Sequence, residues 1–386
     1  MQPELTEQQS AINEELVHRL IVQIESAGLM RFSEYMHRCL YEPGLGYYVN
    51  GLSKIGSSGD FITAPDLSTD FADCLAHQCA EILTVTGGDI LEFGGGTGRL
   101  AVDTLLSLER IGLLPEHYFL LDVSADLKHL QRQTVQRELP AHLSQKVSWV
   151  DSFIDGFCGV VVANELFDAF PVEQFEMQDT IAHVRSVDWT GERFVYVSSP
   201  DDAISSAVNL LQKRLPGSFP SGFVSEVCPV LGGWWQSLAD AIDSGVVLAC
   251  DYGSDRTSYY APTRSSGTLR CFFRHGVHSD ALINQGVQDI TADVDFTALA
   301  EAATSAGFSL EGYTTLAQFL MSLGALDQHQ TNIGNLGDLD RFKATGKLKQ
   351  LLLPEEMGER FMVAGFSKNF SPVLQGFSKG DLSRLL

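Results

Sequence analysis

The stretch Asp89-Ile-Leu-Glu-Phe-Gly-Gly-Gly-Thr-Gly-Arg-Leu100 is the centre around which this chain is organised. A short apolar run that carries the carboxylate of Glu92 predicts a buried strand, and an amphipathic helical pattern opens at Leu100. Between them, Gly94, Gly96 and Gly98 permit a left-handed backbone and the close approach of a ligand. The stretch therefore predicts a strand, a glycine turn and a helix whose first N–H groups face a bound molecule.

Two classes of cofactor are compatible with this turn. The order Gly96-Thr-Gly98-Arg-Leu-Ala101 satisfies the pattern Gly-x-Gly-x-x-Ala of dinucleotide sites, so an NAD-dependent dehydrogenase is one alternative. S-adenosylmethionine carries an ammonium and a sulfonium instead of a phosphate, so its site is expected to place an acid beside the glycines. Glu92 lies directly before the turn and meets this requirement, which favours S-adenosylmethionine.

A second acid follows the next predicted strand. The apolar run after His117 ends at Asp122, where a carboxylate would accept hydrogen bonds from ribose hydroxyls. Taken singly, a glycine cluster is typical of a turn, and an aspartate after a strand is typical of a helix cap. Their occurrence after two consecutive strands favours a nucleoside-type cofactor. The predicted cofactor-binding residues of this region are Glu92, Gly94, Gly96, Gly98 and Asp122.

The rest of the chain predicts an α/β fold. Strands are predicted near 89–93, 117–122, 146–150, 157–163 and 245–253, and helices near 68–84, 98–110 and 124–137. This alternation predicts a mostly parallel sheet with helices on both faces, and such sheets bind ligands beyond the carboxyl ends of their strands.

Outside this alternation, the chain predicts additional elements. Residues 172–225 predict antiparallel strands about Thr190-Gly191 and a helix over 203–213, and strands near 308–314 and 360–367 predict a closing, hairpin-like pair. Residues 11–40 predict two helices that pack on the main domain. The predicted segments are N-terminal helices and a lid (1–66), a cofactor-binding core (67–171), an inserted substrate-side subdomain (172–244), the remainder of the core (245–370) and a loose tail (371–386).

The predicted catalytic residues follow the fourth strand. Asn164, Glu165 and Asp168 place an amide and two carboxylates at the strand end that faces a cofactor bound over the first strand. The alternative is an N-capped helix with acids in its first turn, which requires no chemistry.

Two further segments are candidate walls of the site. Residues 41–65 are glycine-rich, aromatic and too long for a simple connection, so they predict a lid, or else a wrap that only covers apolar surface. Asp60 and Thr63 are its predicted cofactor-binding side chains. Residues 259–278 gather arginines and histidines in an otherwise acidic chain, and they predict either a surface loop or a second wall on the substrate side.

Composition narrows the function classes. A net charge of −23 argues against a nucleic-acid partner and favours a cationic substrate or a basic protein. Seven scattered cysteines without a Cys-x-x-Cys pair predict reduced core residues rather than a zinc site. The sequence shows no secretory signal, transit peptide or membrane-spanning run, so we expect a cytoplasmic protein without membrane insertion.

Several blocks together resemble the MidA family of class I S-adenosylmethionine-dependent methyltransferases. They are Gly46-Tyr-Tyr48, Gly59-Asp-Phe-Ile-Thr-Ala-Pro65, Leu91-Glu-Phe-Gly-Gly-Gly-Thr-Gly98, Ala163-Asn-Glu-Leu-Phe-Asp-Ala-Phe-Pro171, Asp251-Tyr-Gly253 and Gly267-Thr-Leu-Arg270. The resemblance implies a Rossmann-like, seven-stranded methyltransferase sheet with helices on both faces, an N-terminal helical extension and an inserted α+β subdomain. It also implies S-adenosylmethionine as cofactor, bound by the glycine-turn residues and Asp122.

The family's mitochondrial members are complex I assembly factors that dimethylate an arginine, so the resemblance implies a protein arginine as acceptor, with a respiratory-complex subunit among the candidates. Two alternatives stay open: methyl transfer to another acceptor, and a scaffold protein that binds the cofactor without turnover. Whether the chain forms a homodimer also stays open.

Overall fold

The structure of the protein is a computed structural model that describes residues 4–52, 64–371 and 373–386. Asp60 and Thr63, two of the predicted cofactor-binding residues, lie outside the described residues. The predicted lid over 41–65 is therefore described only at its two ends.

Helices and strands alternate along most of the described chain. The helices are α1 (Glu7–Ala27), α2 (Phe32–Tyr41), α3 (Ala64–Leu67), α4 (Thr69–Thr86), α5 (Arg99–Ile111), α6 (Ala125–Glu138), α7 (Ala141–Ser144), α8 (Asp202–Gln212), α9 (Leu231–Ala241), α10 (Arg256–Tyr259), α11 (Phe296–Ser305), α12 (Leu316–Ser322), α13 (Ala325–Ile333) and α14 (Asp338–Leu352). The strands are β1 (Met30–Arg31), β2 (Asp89–Phe93), β3 (Tyr118–Leu121), β4 (Val147–Val150), β5 (Phe157–Asn164), β6 (Glu173–Gln178), β7 (Ile181–Trp189), β8 (Phe194–Pro200), β9 (Val224–Val227), β10 (Ile242–Ser254), β11 (Arg270–Phe273), β12 (Gly276–His278), β13 (Asp289–Thr291), β14 (Val294–Asp295), β15 (Ser309–Thr315) and β16 (Phe361–Lys368).

The main sheet has the strand order β15-β16-β10-β5-β2-β3-β4, with the two-residue β14 beside β10. The strands from β10 to β4 are parallel, and β16 is antiparallel to both of its neighbours. From β2 the chain moves to β3 and β4 on one side, and it returns to β5 on the other side. The strand order therefore reverses at β2, which is where open α/β sheets bind their ligands.

Both faces of the main sheet are covered by helices, as predicted. Val160 and Val162 of β5 pack in one core with α4, α5 and α12, while Val161 and Ala163 pack in a second core with α9 and α11. This division follows from the two-residue period of a strand, which sends successive side chains to opposite faces. Each fully buried valine contributes about 1.5–3 kcal/mol of apolar burial.

Two smaller antiparallel sheets lie beside the main one. The first has the order β1-β7-β6-β9 with β8 beside β7, and the second has the order β12-β11-β13. The N-terminal helices pack here rather than on the main sheet, because Leu20 and Tyr35 share a core with Val187, Cys271 and Ile290. These helices therefore pack on the two smaller sheets, one of which lies within the predicted remainder of the core (245–370).

The last residues of the chain also differ from the predicted loose tail. Leu374 and Phe377 are buried, and the ring of Phe377 lies 5.4 Å from that of Phe319 on α12. The N–H of Gly376 donates to Gln78 Oε1 at 2.8 Å. Apolar anchors thus fix this segment against α4 and α12.

The closing pair of strands has a longer connection than a hairpin. β15 and β16 are antiparallel neighbours, as predicted, but α12, α13 and α14 lie between them in the chain. None of the helices in the described part of the chain is long and apolar enough to cross a bilayer.

Candidate active site

A cavity of about 1110 Å³ opens at the carboxyl ends of β2, β3 and β5. The predicted residues that line it come from both the cofactor side and the catalytic side of the site. They are Glu92, Gly94, Gly96, Asp122, Asn164, Glu165 and Asp168. The structure thus brings seven predicted residues together, and Gly98 supports the turn from outside the cavity lining.

The glycine turn requires its glycines for different reasons. Gly94, Gly96 and Gly98 have φ values of 63°, 49° and 82°, in the left-handed region that side chains disfavour. At Gly95 the constraint is space, because a Cβ would lie 2.6 Å from Leu120 Cδ2. The turn ends at Gly98, where α5 begins without a side-chain cap.

Glu92 lies buried at the end of β2. Its Oε2 accepts a hydrogen bond from the Tyr118 hydroxyl at 2.7 Å. Burial raises the pKa of Glu92 to about 7, although the Tyr118 hydrogen bond lowers it. Glu92 therefore changes charge near neutral pH, and a cation in the cavity would favour its ionised form.

Asp122 has a fixed orientation at the end of β3. Its Oδ1 accepts from the Ser124 N–H at 2.8 Å, and its Oδ2 accepts from Gln131 Nε2 at 2.9 Å. Gln131 also donates to the Gly96 carbonyl at 3.2 Å and accepts from Trp149 Nε1 at 2.9 Å. This buried glutamine joins the acid to the glycine turn.

The residues after β5 form a tight turn, not a helix, so the alternative of an N-capped helix is excluded. Glu165 has a φ of 50°, which is uncommon for a residue with a side chain. The Asp251 Oδ2 accepts from the N–H groups of Leu166, Phe167 and Asp168 at 3.0, 2.8 and 3.3 Å. Asp251, at the end of β10, therefore holds the turn that presents the predicted catalytic residues.

Carboxyl groups are concentrated at this turn. Asp168 is 8% exposed, and burial followed by the charges of Asp251 and Asp289 raises its pKa well above the ordinary value. Burial also raises the pKa of Asp251, to about 8. A cation bound here would favour ionised carboxylates.

Asn164 and Glu165 are also connected to each other. The Asn164 Nδ2 donates to Glu165 Oε1 at 3.3 Å, and the Ala64 N–H donates to the same oxygen at 3.3 Å. The Asn164 Oδ1 is buried and has no hydrogen-bond partner among the described residues. Glu165 therefore contacts both the end of β5 and the start of α3.

Aromatic side chains form another part of the cavity wall. The rings of Tyr41 and Tyr48 stack at 5.6 Å with 22° between their planes. The Tyr48 hydroxyl lies 3.0 and 3.1 Å from the two carboxylate oxygens of Asp289, and the Tyr41 hydroxyl donates to the Ala169 carbonyl at 3.0 Å. Both tyrosines and Asp289 line the cavity.

The segment 259–278 does contribute to the cavity wall, but not through the basic residues that the sequence suggested. Arg264 and Arg270 form ion pairs with Asp293 at 2.8 and 3.2 Å, and neither lines the cavity. Phe272 of the same segment does line it. The second wall is therefore aromatic, and the arginines and histidines expected there lie elsewhere.

Sequence reasoning missed four residues of the site. Tyr48 was identified only as part of the block Gly46-Tyr-Tyr48 and of the aromatic segment 41–65, without a role of its own. Gln131 and Asp289 carry no local pattern that marks them, since their contacts in the site depend on the folded arrangement. Asp251 did carry a signal, because it ends a core strand, but its role as an acceptor for three N–H groups depends on a turn far away in sequence.

The cavity fits S-adenosylmethionine on the cofactor side. Left-handed glycines admit a ligand, Glu92 and Asp122 offer carboxylates, and Phe153 and Trp234 add apolar surface. Within residues 4–52, 64–371 and 373–386 no group of His, Cys, Asp or Glu side chains is arranged to hold a metal ion.

Three comparisons relate the chain to known proteins. A family described as S-adenosyl-L-methionine-dependent methyltransferase matches residues 74–314. A crystal structure of a COG1565 superfamily member from Burkholderia thailandensis, bound to S-adenosyl-homocysteine, is 34% identical, covers 100% of both chains and has a TM-score of 0.93. The protein arginine methyltransferase NDUFAF7, mitochondrial, of Danio rerio is 30% identical over 91% of this chain and 86% of its own length. Its namesake from Homo sapiens is 28% identical over 94% and 90%.

Proposed function

Because the chain belongs to the MidA family of S-adenosyl-L-methionine-dependent methyltransferases, we propose that it methylates an arginine side chain of a protein. The cofactor and the class of reaction follow from the family. The acceptor is the proposed part, and it is supported by the names of the relatives and by the chemistry of the cavity.

The observation that carries the proposal is the combination of acids and tyrosines in one cavity, where β13 and the N-terminal region adjoin the turn after β5. Glu165, Asp168 and Asp289 line the cavity together with Tyr41 and Tyr48. A guanidinium is planar, always charged and able to donate to carboxylates from two edges while its face contacts aromatic rings. The carboxylates for its edges and the aromatic rings for its face are both present at this end of the cavity.

When bound, S-adenosyl-L-methionine supplies a methyl group on a sulfonium, which is already a good leaving group. The protein must then align the acceptor nitrogen and exclude water. Glu165 and Asp168 hold the guanidinium and favour its charge on the nitrogens that are not methylated, and Asn164 orients Glu165. The acceptor nitrogen gains a carbon and loses a proton. Asp168 receives that proton at a carboxylate oxygen, since burial and the neighbouring carboxylates raise its pKa.

The test is methyl transfer to arginine. Purified protein, labelled cofactor and a cell extract should give label that acid hydrolysis recovers as methylarginine. Glu165→Gln should lower this transfer about 100-fold or more, because the acceptor loses a charged partner. Its affinity for the cofactor should stay within about threefold by calorimetry.

Glu192→Gln, at an exposed hairpin, is the matched control and should behave as the wild type. Wild-type transfer by Glu165→Gln would contradict the assignment of that residue. Label recovered in another side chain or in a small molecule would replace arginine as the acceptor. Cofactor binding without transfer to any component of the extract would favour a scaffold.

Three finer predictions belong to this proposal. We propose a respiratory-complex subunit as the first acceptor to test, a homodimer as the assembly and the cytoplasm as the location. Labelling of purified respiratory complexes, sedimentation of the purified protein and cell fractionation test them in turn.

A further inference from the structure

Asp289 is a buried carboxylate on the cavity wall that sequence analysis did not identify. It lies on β13, outside the main sheet, and is 2% exposed. Its Oδ1 also accepts from the Ile290 N–H at 2.9 Å, in addition to the hydroxyl of Tyr48. The carboxylate is thus held in one orientation at the edge of the cavity.

The wall that carries Asp289 is joined to the turn after β5. The Ala292 N–H, just past β13, donates to the Asp168 carbonyl at 3.0 Å. Tyr41 stacks on Tyr48 and donates to the Ala169 carbonyl. These contacts fix the position of Asp289 relative to Asp168, although β13 and β5 belong to different sheets.

The two carboxyl groups are close enough to affect each other. Burial, then the charge of Asp251 and then that of Asp289 raise the pKa of Asp168. Burial is also the main cause of the raised pKa of the Tyr48 hydroxyl, with the charge of Asp289 next and that of Asp168 contributing. Two acids and two aromatic rings around one space offer negative charge and flat apolar faces to a ligand that enters it. This arrangement suits a ligand that is cationic and flat.

Resting on the proposed function, we propose that Asp289 is a substrate-binding residue that holds the acceptor guanidinium jointly with Asp168. Tyr48 is its positioning residue, because its hydroxyl orients the carboxylate. Two carboxylates that line one cavity can accept from two donor edges of a guanidinium, whereas an ammonium is a compact point charge without such edges. The site therefore discriminates arginine from lysine.

Binding of a small probe tests this without activity. The protein is saturated with S-adenosyl-homocysteine, and the dissociation constant of n-propylguanidinium is measured by ligand-observed NMR, with n-propylammonium as the comparison. Asp289→Asn should weaken guanidinium binding about 10-fold or more, since it removes a hydrogen-bonded pair between two charged groups. Tyr48→Phe should weaken it by about 3-fold, and Asp289→Glu should recover part of the loss.

Affinity for S-adenosyl-homocysteine should stay within about twofold in every variant. The matched control is Asp202→Asn, which removes an exposed carboxylate on α8. With an arginine peptide identified by the labelling experiment, Asp289→Asn and Tyr48→Phe should raise KM more than they lower kcat. A larger effect on KM than on kcat distinguishes a role in binding from general damage to the fold.

The inference is overturned if Asp289→Asn binds n-propylguanidinium as tightly as Asp202→Asn does. It is also overturned if the variant loses cofactor affinity to the same extent, because the residue is then structural. If Asp289→Asn does not fold, Tyr48→Phe decides, since that change removes only a hydroxyl. Failure of the wild type to prefer guanidinium over ammonium would overturn this inference. Absence of methylarginine in the labelling test would instead reject the proposed function.

Discussion

The carboxyl group of Glu92 lies beneath the glycine turn, where burial opposes its ionisation. The hydrogen bond from Tyr118 favours the carboxylate, but burial is the larger effect and raises the pKa to about 7. A cationic cofactor in the adjoining cavity reverses this balance. Binding at neutral pH is therefore expected to release a proton from Glu92.

The first prediction follows from that release. Affinity for S-adenosylmethionine should rise with pH, by roughly eightfold between about pH 6 and about pH 7.5, because the protonated fraction of Glu92 must lose its proton to bind. Calorimetry in two buffers of different ionisation enthalpy measures the affinity and the proton release. Glu92→Gln should bind more weakly and with a flat pH profile. Equal wild-type affinity at both pH values would refute the loss of a proton from Glu92 on binding.

At the residue scale, the sequence was informative where a side chain ends a core strand. Glu92, Asp122 and Asn164 could be predicted because the carboxyl ends of parallel strands meet at one edge of the sheet. The pairing of Tyr48 with Asp289 could not be predicted, although Tyr48 lies in the segment predicted as a wall, since the pairing joins an N-terminal segment to a small separate sheet. No periodic pattern within either segment predicts that contact.

At the scale of elements, the glycine turn between β2 and α5 determines both the fold and the site. Its backbone enters the left-handed region at Gly94, Gly96 and Gly98, and Gly96 also lines the cavity. A side chain at Gly96 would therefore strain the turn and intrude on the ligand. The two effects can be separated by comparison with a strained glycine outside the site.

Gly96→Val should weaken binding of S-adenosyl-homocysteine by about 10-fold or more and lower the free energy of unfolding by about 1–3 kcal/mol. Gly191→Val is the control, because Gly191 has a φ of 94° at an open hairpin and no neighbour within 4 Å of an added Cβ. The control should lose similar stability and keep its affinity. Calorimetry and denaturant unfolding measure both quantities. An unchanged affinity in Gly96→Val would show that the turn does not contact the ligand.

Helices and strands with a clear apolar pattern in the sequence were predicted closely. Segments whose structure depends on contacts with residues far away in the sequence were not. The predicted strands over 89–93 and 157–163 match β2 and β5, because apolar runs of this length are typical of buried parallel strands. None of the helices α12 to α14 was predicted from the sequence. The final segment was predicted to be loose, yet Phe377 fills a space beside Phe319 that exists only in the folded protein.

At the scale of the whole molecule, the cavity joins parts of the chain that are far apart in sequence. The main sheet supplies the glycine turn and the turn after β5, while the N-terminal region and β13 supply Tyr48 and Asp289. Assembling these walls buries several carboxyl groups. The cost of burying them is a property of the whole fold, and it should appear in the pH dependence of stability.

The final prediction concerns that dependence in the absence of cofactor. Burial raises the pKa values of Asp295, Glu92 and Asp251 to about 6, 7 and 8. At these three groups the folded state therefore binds more protons than the unfolded state between about pH 5 and about pH 8. Their contribution to stability is complete below the ordinary carboxyl pKa and is lost as the pH rises through these values. The effect of Glu92 alone is of the order of 3 kcal/mol.

Carboxylates with lowered pKa values, such as Glu42 and Glu301, act in the opposite direction. Their contribution is complete by about pH 5.5, so it does not obscure the window above that value. The melting temperature of the cofactor-free protein should thus fall between about pH 5.5 and about pH 8.5. Glu92→Gln should be more stable than the wild type at the upper limit and should show a smaller fall, because it has no charge to bury. A wild-type melting temperature that stays level or rises across this window would mean that the buried carboxyl groups are not the source of the pH dependence.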